Sequence, residues 1–132
     1  MTFSDDTIKC IYLENKRVIS LSDSIGNLTS LIYLNVSNNQ LTHLPESIGN
    51  LTSLDAFNIG NNQLSCLPDS MENLMKLKVM FASSNQLTHV YLRIGNLMSL
   101  TALWVNDNPV TLTHEGQEDV KRRFGRAGLF LR

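Results

Sequence analysis

Residues 25–31 read IGNLTSL, and residues 48–54 read IGNLTSL again, 23 positions later. RIGNLMSL at 93–100 keeps the same frame two periods further on. Self-similarity at a fixed spacing of this size marks a chain built from stacked units, so the whole sequence is aligned in that frame first. The first position of each unit is then Ile8, Leu31, Leu54, Leu77 and Leu100; the fourth is Ile11, Leu34, Phe57, Met80 and Leu103. The sixth holds Leu13, Val36, Ile59, Ala82 and Val105, the ninth Lys16, Asn39, Asn62, Asn85 and Asn108, and the eleventh Val18, Leu41, Leu64, Leu87 and Val110.

Apolar residues at positions four and six with other side chains between them have the period of a short strand with one buried face. The Pro-Glu-Ser and Gly-Asn groups break the chain where it must turn. One unit offers too few apolar anchors to offset the entropy of ordering it, so the units must stack and share a core. The ninth-position asparagines are read as structural. An amide can donate two hydrogen bonds and accept others inside a coil whose backbone groups would otherwise be unpaired.

From Ile8 to Val110 the chain thus follows LxxLxLxxNxL, and the second half of a unit reads LPxxIGxLxxL, as in LTHLPESIGNLTSL. This pattern resembles the leucine-rich repeat family in its 23-residue form, found in intracellular signalling scaffolds and bacterial effector-like proteins. The resemblance implies an α/β solenoid. Its form would be a right-handed superhelix with one short strand per repeat in a parallel concave sheet, and irregular or short helical segments on the convex side. A single domain spanning 1–132 is expected, with repeats at 8–30, 31–53, 54–76 and 77–99, a degenerate repeat at 100–122 and a C-terminal cap at about 113–132.

Local propensity disagrees at one place. SMENLMKLKVMFA, residues 70–82, is rich in good helix formers. The 23-residue frame overrides it, placing Leu77, Met80, Ala82, Asn85 and Leu87 inward and turning Phe81 outward. Ala82 is the small member of the sixth-position column, and Val90-Tyr91 replaces the Leu-Pro of the second and third repeats. The fourth coil is therefore expected to be the least tightly packed, with Met80 adapting to the gap.

At the ends, Lys16 replaces asparagine where the first coil meets solvent. After Val110 the pattern dissolves into TLTHEGQEDVKRRFGRAG, which predicts a capping helix. Thr113 would be its N-cap, Glu115, Glu118 and Asp119 lie early, Lys121 to Arg123 lie late, and Gly125 stops it. Val120 and Phe124 would cover the end of the core, and the last five residues either fray or fold back.

Composition sets further bounds. A chain of 132 residues that is 42% hydrophobic and 17% charged can bury a real core. A net charge of −1 provides no field to attract nucleic acid or an anionic membrane, and neither is expected as a partner. Five of the eleven basic residues, Lys121, Arg122, Arg123, Arg126 and Arg132, lie in 114–132, where the helix dipole is the favoured account over a polyanion site, which would want a longer basic patch. The opening MTFSDDTIKC lacks the apolar run of a secretory signal, no stretch reaches the length of a membrane helix, and Cys10 and Cys66 make no disulfide framework. A cytoplasmic location is expected, or delivery into a host cell without a classical signal peptide if the chain is a bacterial effector.

Function is expected on the concave face, where positions three, five and seven point outward. Position five reads Tyr12, Asn35, Asn58, Phe81 and Trp104; position three contributes Tyr33 and Val79, and position seven Asn106. Exposed aromatics bury much area at low entropic cost, and asparagines supply uncharged, adaptable hydrogen bonds. These eight residues are the predicted partner-binding set of a protein-protein interaction module, with Tyr12, Tyr33, Phe81 and Trp104 as anchors. The alternative is a structural or self-associating protein, otherwise a monomer, that pairs edge to edge through its open first coil.

A second column, at position thirteen, holds His43, Cys66 and His89 on successive coils about 5 Å apart. Imidazole and thiolate can bind zinc, but no fourth ligand is evident, and metal binding is the weaker reading. No cofactor is expected. No glycine-rich phosphate loop, paired carboxylate or HExxH-type motif is present, so an enzyme is not expected either.

Overall fold

The computed structural model describes residues 7–88, 97, 99–109 and the backbone of 130–131. Six short strands form one parallel sheet in chain order: β1 (Cys10–Tyr12), β2 (Tyr33–Asn35), β3 (Ala56–Asn58), β4 (Val79–Phe81), β5 (Ala102–Trp104) and β6 (Phe130–Leu131). Ile11, Leu34, Phe57, Met80 and Leu103 stand in register as the middle residues of β1 to β5. The frame of the sequence is thus the register of the sheet. The ladder runs one step past the strands, through Leu13 N to Asn35 O at 2.7 Å, Val36 N to Asn58 O at 2.9 Å and Ala82 N to Trp104 O at 2.7 Å.

The core lies behind the sheet. Leu34, Phe57, Met80 and Leu103 are fully buried at position four, as are Val36, Ile59 and Ala82 at position six. Segment 70–82 follows this register rather than its propensity, with a 3-10 helix at Asp69–Asn73 and then strand β4. Burial of Leu74, Leu77 and Met80 in a core shared with two neighbouring coils outweighs the few tenths of a kcal/mol per residue that favour a helix.

Each turn after a strand is set by a residue with positive φ: Asn15 (58°), Asn38 (57°), Asn61 (52°), Ser84 (58°) and Asp107 (59°). Asn and Asp tolerate the left-handed region better than other side chains, because their short polar groups bond locally. In the second to fifth coils the asparagine that follows then turns inward. Asn62 Nδ2 donates to Val36 O (3.1 Å), Ile59 O (3.1 Å) and Gly60 O (3.2 Å), while its Oδ1 accepts from Leu41 N (3.0 Å). Asn39, Asn85 and Asn108 repeat the arrangement, so each amide ties its own turn to the preceding coil.

On the opposite side the described residues form three 3-10 helices, Asp23–Asn27, Glu46–Asn50 and Asp69–Asn73. They pack on each other, and here the glycines matter through proximity. A Cβ on Gly49 would lie 2.4 Å from Ser70 Cβ and 2.6 Å from Ser70 O, and one on Gly26 would lie 2.7 Å from Ser47 O. The repeated Ile-Gly-Asn is therefore a stacking contact as well as a turn.

The first coil is less enclosed than the rest, with Ile8, Ile11, Leu13, Val18, Leu21, Ile25 and Leu28 only partly buried against the core. At the far end, β6 pairs with β5 in parallel, Phe130 beside Ala102 and Leu131 beside Leu103. Of the two expectations for the chain's last residues, folding back is the one observed. The expected capping helix around Val120 and Phe124, and the Val90-Tyr91 substitution, lie outside the described residues.

Candidate functional site

The strand register brings the outward side chains into straight columns. Tyr12, Asn35, Asn58, Phe81 and Trp104 are directly paired from β1 through β5, as are Cys10, Tyr33, Ala56, Val79 and Ala102. Adjacent strands are about 4.8 Å apart, and aromatic rings at that spacing meet. Tyr12 and Tyr33 pack tilted at 57° with centroids 5.3 Å apart, and Phe81 stacks on Trp104 at 4.5 Å and 20°. One aromatic pair lies on the β1–β2 side, the other on β4–β5, with Asn35 and Asn58 between. Tyr12 is the most open of the four aromatics, at 60% exposure; Tyr33, Val79, Phe81 and Trp104 are half-buried and Asn106 is exposed.

Each of the two asparagines is held by its own turn. Asn35 Oδ1 accepts from Ser37 N at 3.0 Å and from Ser37 Oγ at 2.7 Å, and Asn58 Oδ1 accepts from Gly60 N at 3.0 Å. The carbonyl ends are used internally, which leaves the Nδ2 donors to face outward. Ser83 Oγ donates to Asn106 Oδ1 in the seventh-position column. Between Glu14 at one end and Asp107 at the other, the three outward columns carry no charge.

The charge that does appear is at the β1 margin. Glu14 Oε2 is buried with no hydrogen-bond partner among the described residues. The pKa of the Tyr12 phenol is raised above its ordinary value of 10.0, chiefly by its electrostatic interaction with Cys10 beside it, with desolvation, a Cys10 hydrogen bond, Tyr33 and Glu14 adding to the effect.

Among the described residues, two hollows flank the strands. One, of about 220 Å³, is bounded by Ser37, Asn58, Gly60, Phe81, Ser83 and Trp104, with the turn residues Asn38 and Asn61 at its rim. The other, of about 450 Å³, runs along the entry side of the strands past Lys9, Ile32, Asp55, Lys76 and Lys78. There Lys78 and Asp55 form an exposed ion pair at 3.6 Å, worth at most about 1 kcal/mol. Neither hollow is foreseen by the sequence reading. The second has a visible signal in the charged second-position column Lys9, Asp55, Lys78; the first depends on the absence of a side chain at Gly60.

The position-thirteen column is only partly in view. His43 and Cys66 are exposed, and His43 Nδ1 lies 3.3 Å from Thr42 Oγ1. His89 lies outside the described residues. Among the described residues no group of three potential ligands is placed to hold a metal ion. Cys10 and Cys66 are free thiols. No helix among the described residues is long and apolar enough to cross a membrane.

Stacked coils, a parallel sheet with one strand per coil and an asparagine tying each turn to the last define a solenoid scaffold. The chain belongs to the leucine-rich repeat family, whose region model matches residues 7–118. Solved structures agree. A leucine-rich repeat protein of Leptospira interrogans shares the fold at a TM-score of 0.77 and 23% identity, over 96% of this chain and 37% of that one. The internalin InlF of Listeria monocytogenes matches at a TM-score of 0.70 and 29% identity, over 78% and 30%. The LRIM1/APL1C complex matches at 0.71 and 28%, over 77% and 19%. The chain therefore spans well under half the length of these proteins. No curated protein matches it. Leucine-rich repeat proteins are in general non-enzymatic scaffolds that commonly engage other proteins, as LRIM1 and APL1C engage each other.

Proposed function

We propose that this chain is a protein-binding module whose concave sheet face receives a protein or peptide, and that it has no catalytic activity of its own. The observation that carries this reading is the uncharged outward surface of β2 to β5, with an aromatic pair on either side of the outward amides of Asn35 and Asn58. Aromatics in contiguous exposed patches act as anchors, while locked amides supply hydrogen bonds without the desolvation cost of charge. Tyr12, Tyr33, Phe81 and Trp104 are the anchors, Val79 fills between them, and Asn35, Asn58 and Asn106 hydrogen-bond the guest.

Panning a random-peptide phage library on the immobilised chain tests this. Selected peptides are expected to bind Trp104→Ala and Phe81→Ala about tenfold or more weakly. Peptides that bind both variants as they bind the parent would refute a concave binding face.

The free and exposed Cys10 and Cys66 favour a reducing, cytoplasmic setting, and a bacterial effector acting on a host protein is the extension we favour. Fractionation of cells expressing the chain should recover it in the cytosol with both thiols reduced; oxidised thiols would count against it. Self-association is a second reading, favoured by the partly buried first coil and by Ile19, which is 68% exposed. Light scattering across a concentration series should show a monomer if the module reading holds, and rising mass if β1 pairs edge to edge.

A further inference from the structure

Given a concave binding face as proposed above, we infer that the hollow at Gly60 is a socket for one uncharged aromatic side chain of a bound peptide. It lies in the seventh-position column, which reads Glu14, Ser37, Gly60, Ser83, Asn106; Gly60 is the gap in that row. The fold does not demand glycine there. A Cβ at Gly60 would meet Asn58 Oδ1 at 3.2 Å and Ser83 O at 3.6 Å, a tight but accommodable fit, whereas a Cβ at Gly49 would meet Ser70 at 2.4 Å. Gly60 is also not among the positions with positive φ that set the turns. Its missing side chain serves to leave space.

The walls of that space define its guest. Phe81 is stacked on Trp104 with centroids 4.5 Å apart, so its other face is turned toward β3, where Asn58 is its register partner. A flat ring entering beside Gly60 lies against that face and extends the stack from two rings to three. Asn58 Oδ1 is engaged by Gly60 N, so the amide offers its Nδ2 donor to a backbone carbonyl of the same guest residue. Ser37 and Ser83 donate their hydroxyl protons to Asn35 and Asn106, which leaves their oxygens as acceptors. None of the residues around the hollow is charged, so no carboxylate is there to receive a lysine or arginine. At about 220 Å³ the space is smaller than pockets for drug-sized ligands, which start near 300 Å³, and it suits a single large side chain.

The direct test is a nuclear magnetic resonance titration of the full chain with N-acetyl-phenylalaninamide. N-acetyl-leucinamide and methyl glucoside serve as comparison probes. Saturable shifts of the Asn58 side-chain amide and the Trp104 indole are expected with the phenylalanine probe and much weaker ones with leucine. Gly60→Ser and Gly60→Asn place in the gap the side chains already present at 83 and 106. They should leave the melting temperature close to that of the parent while weakening the response about threefold and tenfold or more, respectively. Equal shifts in the parent and in Gly60→Asn would overturn the socket. So would a response to methyl glucoside alone, which would make the hollow a sugar site. Peptides from the phage selection separate this inference from the broader one: binding that is lost in Trp104→Ala but unchanged in Gly60→Asn leaves the concave face standing and removes the socket.

Discussion

A single amide carries much of the order in each coil. Asn62 makes four hydrogen bonds to backbone groups of two coils; removing it strands the buried Leu41 N–H, while Val36 O, Ile59 O and Gly60 O each keep one other donor. Asn62→Ala is expected to cost about 2 kcal/mol in urea unfolding, the penalty of about 1–3 kcal/mol for one unsatisfied buried donor. A loss under about 1 kcal/mol would mean that water replaces the amide. Glycine gives a sharper contrast. Gly49→Ala presses a methyl into Ser70 of the next coil and should cost about 2–3 kcal/mol, while Gly60→Ala, which meets Asn58 Oδ1 at 3.2 Å and Ser83 O at 3.6 Å, should stay within about 1 kcal/mol. Equal losses in denaturant titrations would contradict the distinction between a stacking glycine and a space-making one. The first role is legible in the sequence as a repeated Ile-Gly-Asn; the second is not, because an absent side chain has no meaning until its neighbours are known.

Among elements, β1 to β5 differ in what covers them rather than in length. β3 has strands on both sides and a fully buried Phe57, whereas β1, among the described residues, has a strand on one side only and a half-buried Ile11. Amide exchange follows local opening, so Leu13 should exchange fastest among the ladder amides and Val36 and Ile59 slowest. Ala82 decides the remaining expectation. Met80 and Ala82 are as buried as their counterparts, so softness in the fourth coil would come from contacts missing around a small side chain, not from solvent access. Exchange at Ala82 faster than at Ile59 is expected, and equal protection would show that the neighbouring side chains close the gap. In the residue pattern the 3-10 helices were legible as turns, since five residues are too few to show a helical period, and short helical segments there were implied by the family resemblance alone.

At the scale of the molecule, a solenoid is a row of nearest-neighbour contacts, and its ends are its weak points. The register from β1 to β5 advances 23 residues per strand, but Phe130 lies 28 residues beyond its partner Ala102, so the last turn of chain is longer than the others. β6 occupies the edge that β5 would otherwise present. Deleting residues 129–132 uncovers that edge, and is expected to lower the melting temperature and to produce concentration-dependent scattering. An unchanged melting curve and mass would show that the pairing contributes nothing.

The sequence by itself determined the period, and through the period nearly everything repeated: which residues face the core, which asparagines turn inward, and which side chains share a column on the open face. It could do so because side-chain direction alternates along a strand, and because a coil stable only when stacked must keep one register throughout. Tertiary structure decided what is not repeated. The outward face of Phe81 is defined by Trp104 stacking from the next coil, the hollow by a side chain missing between two serines, and the covered edge by a strand outside the 23-residue frame. Each of these depends on contact between different units, and a pattern read along one unit cannot contain it.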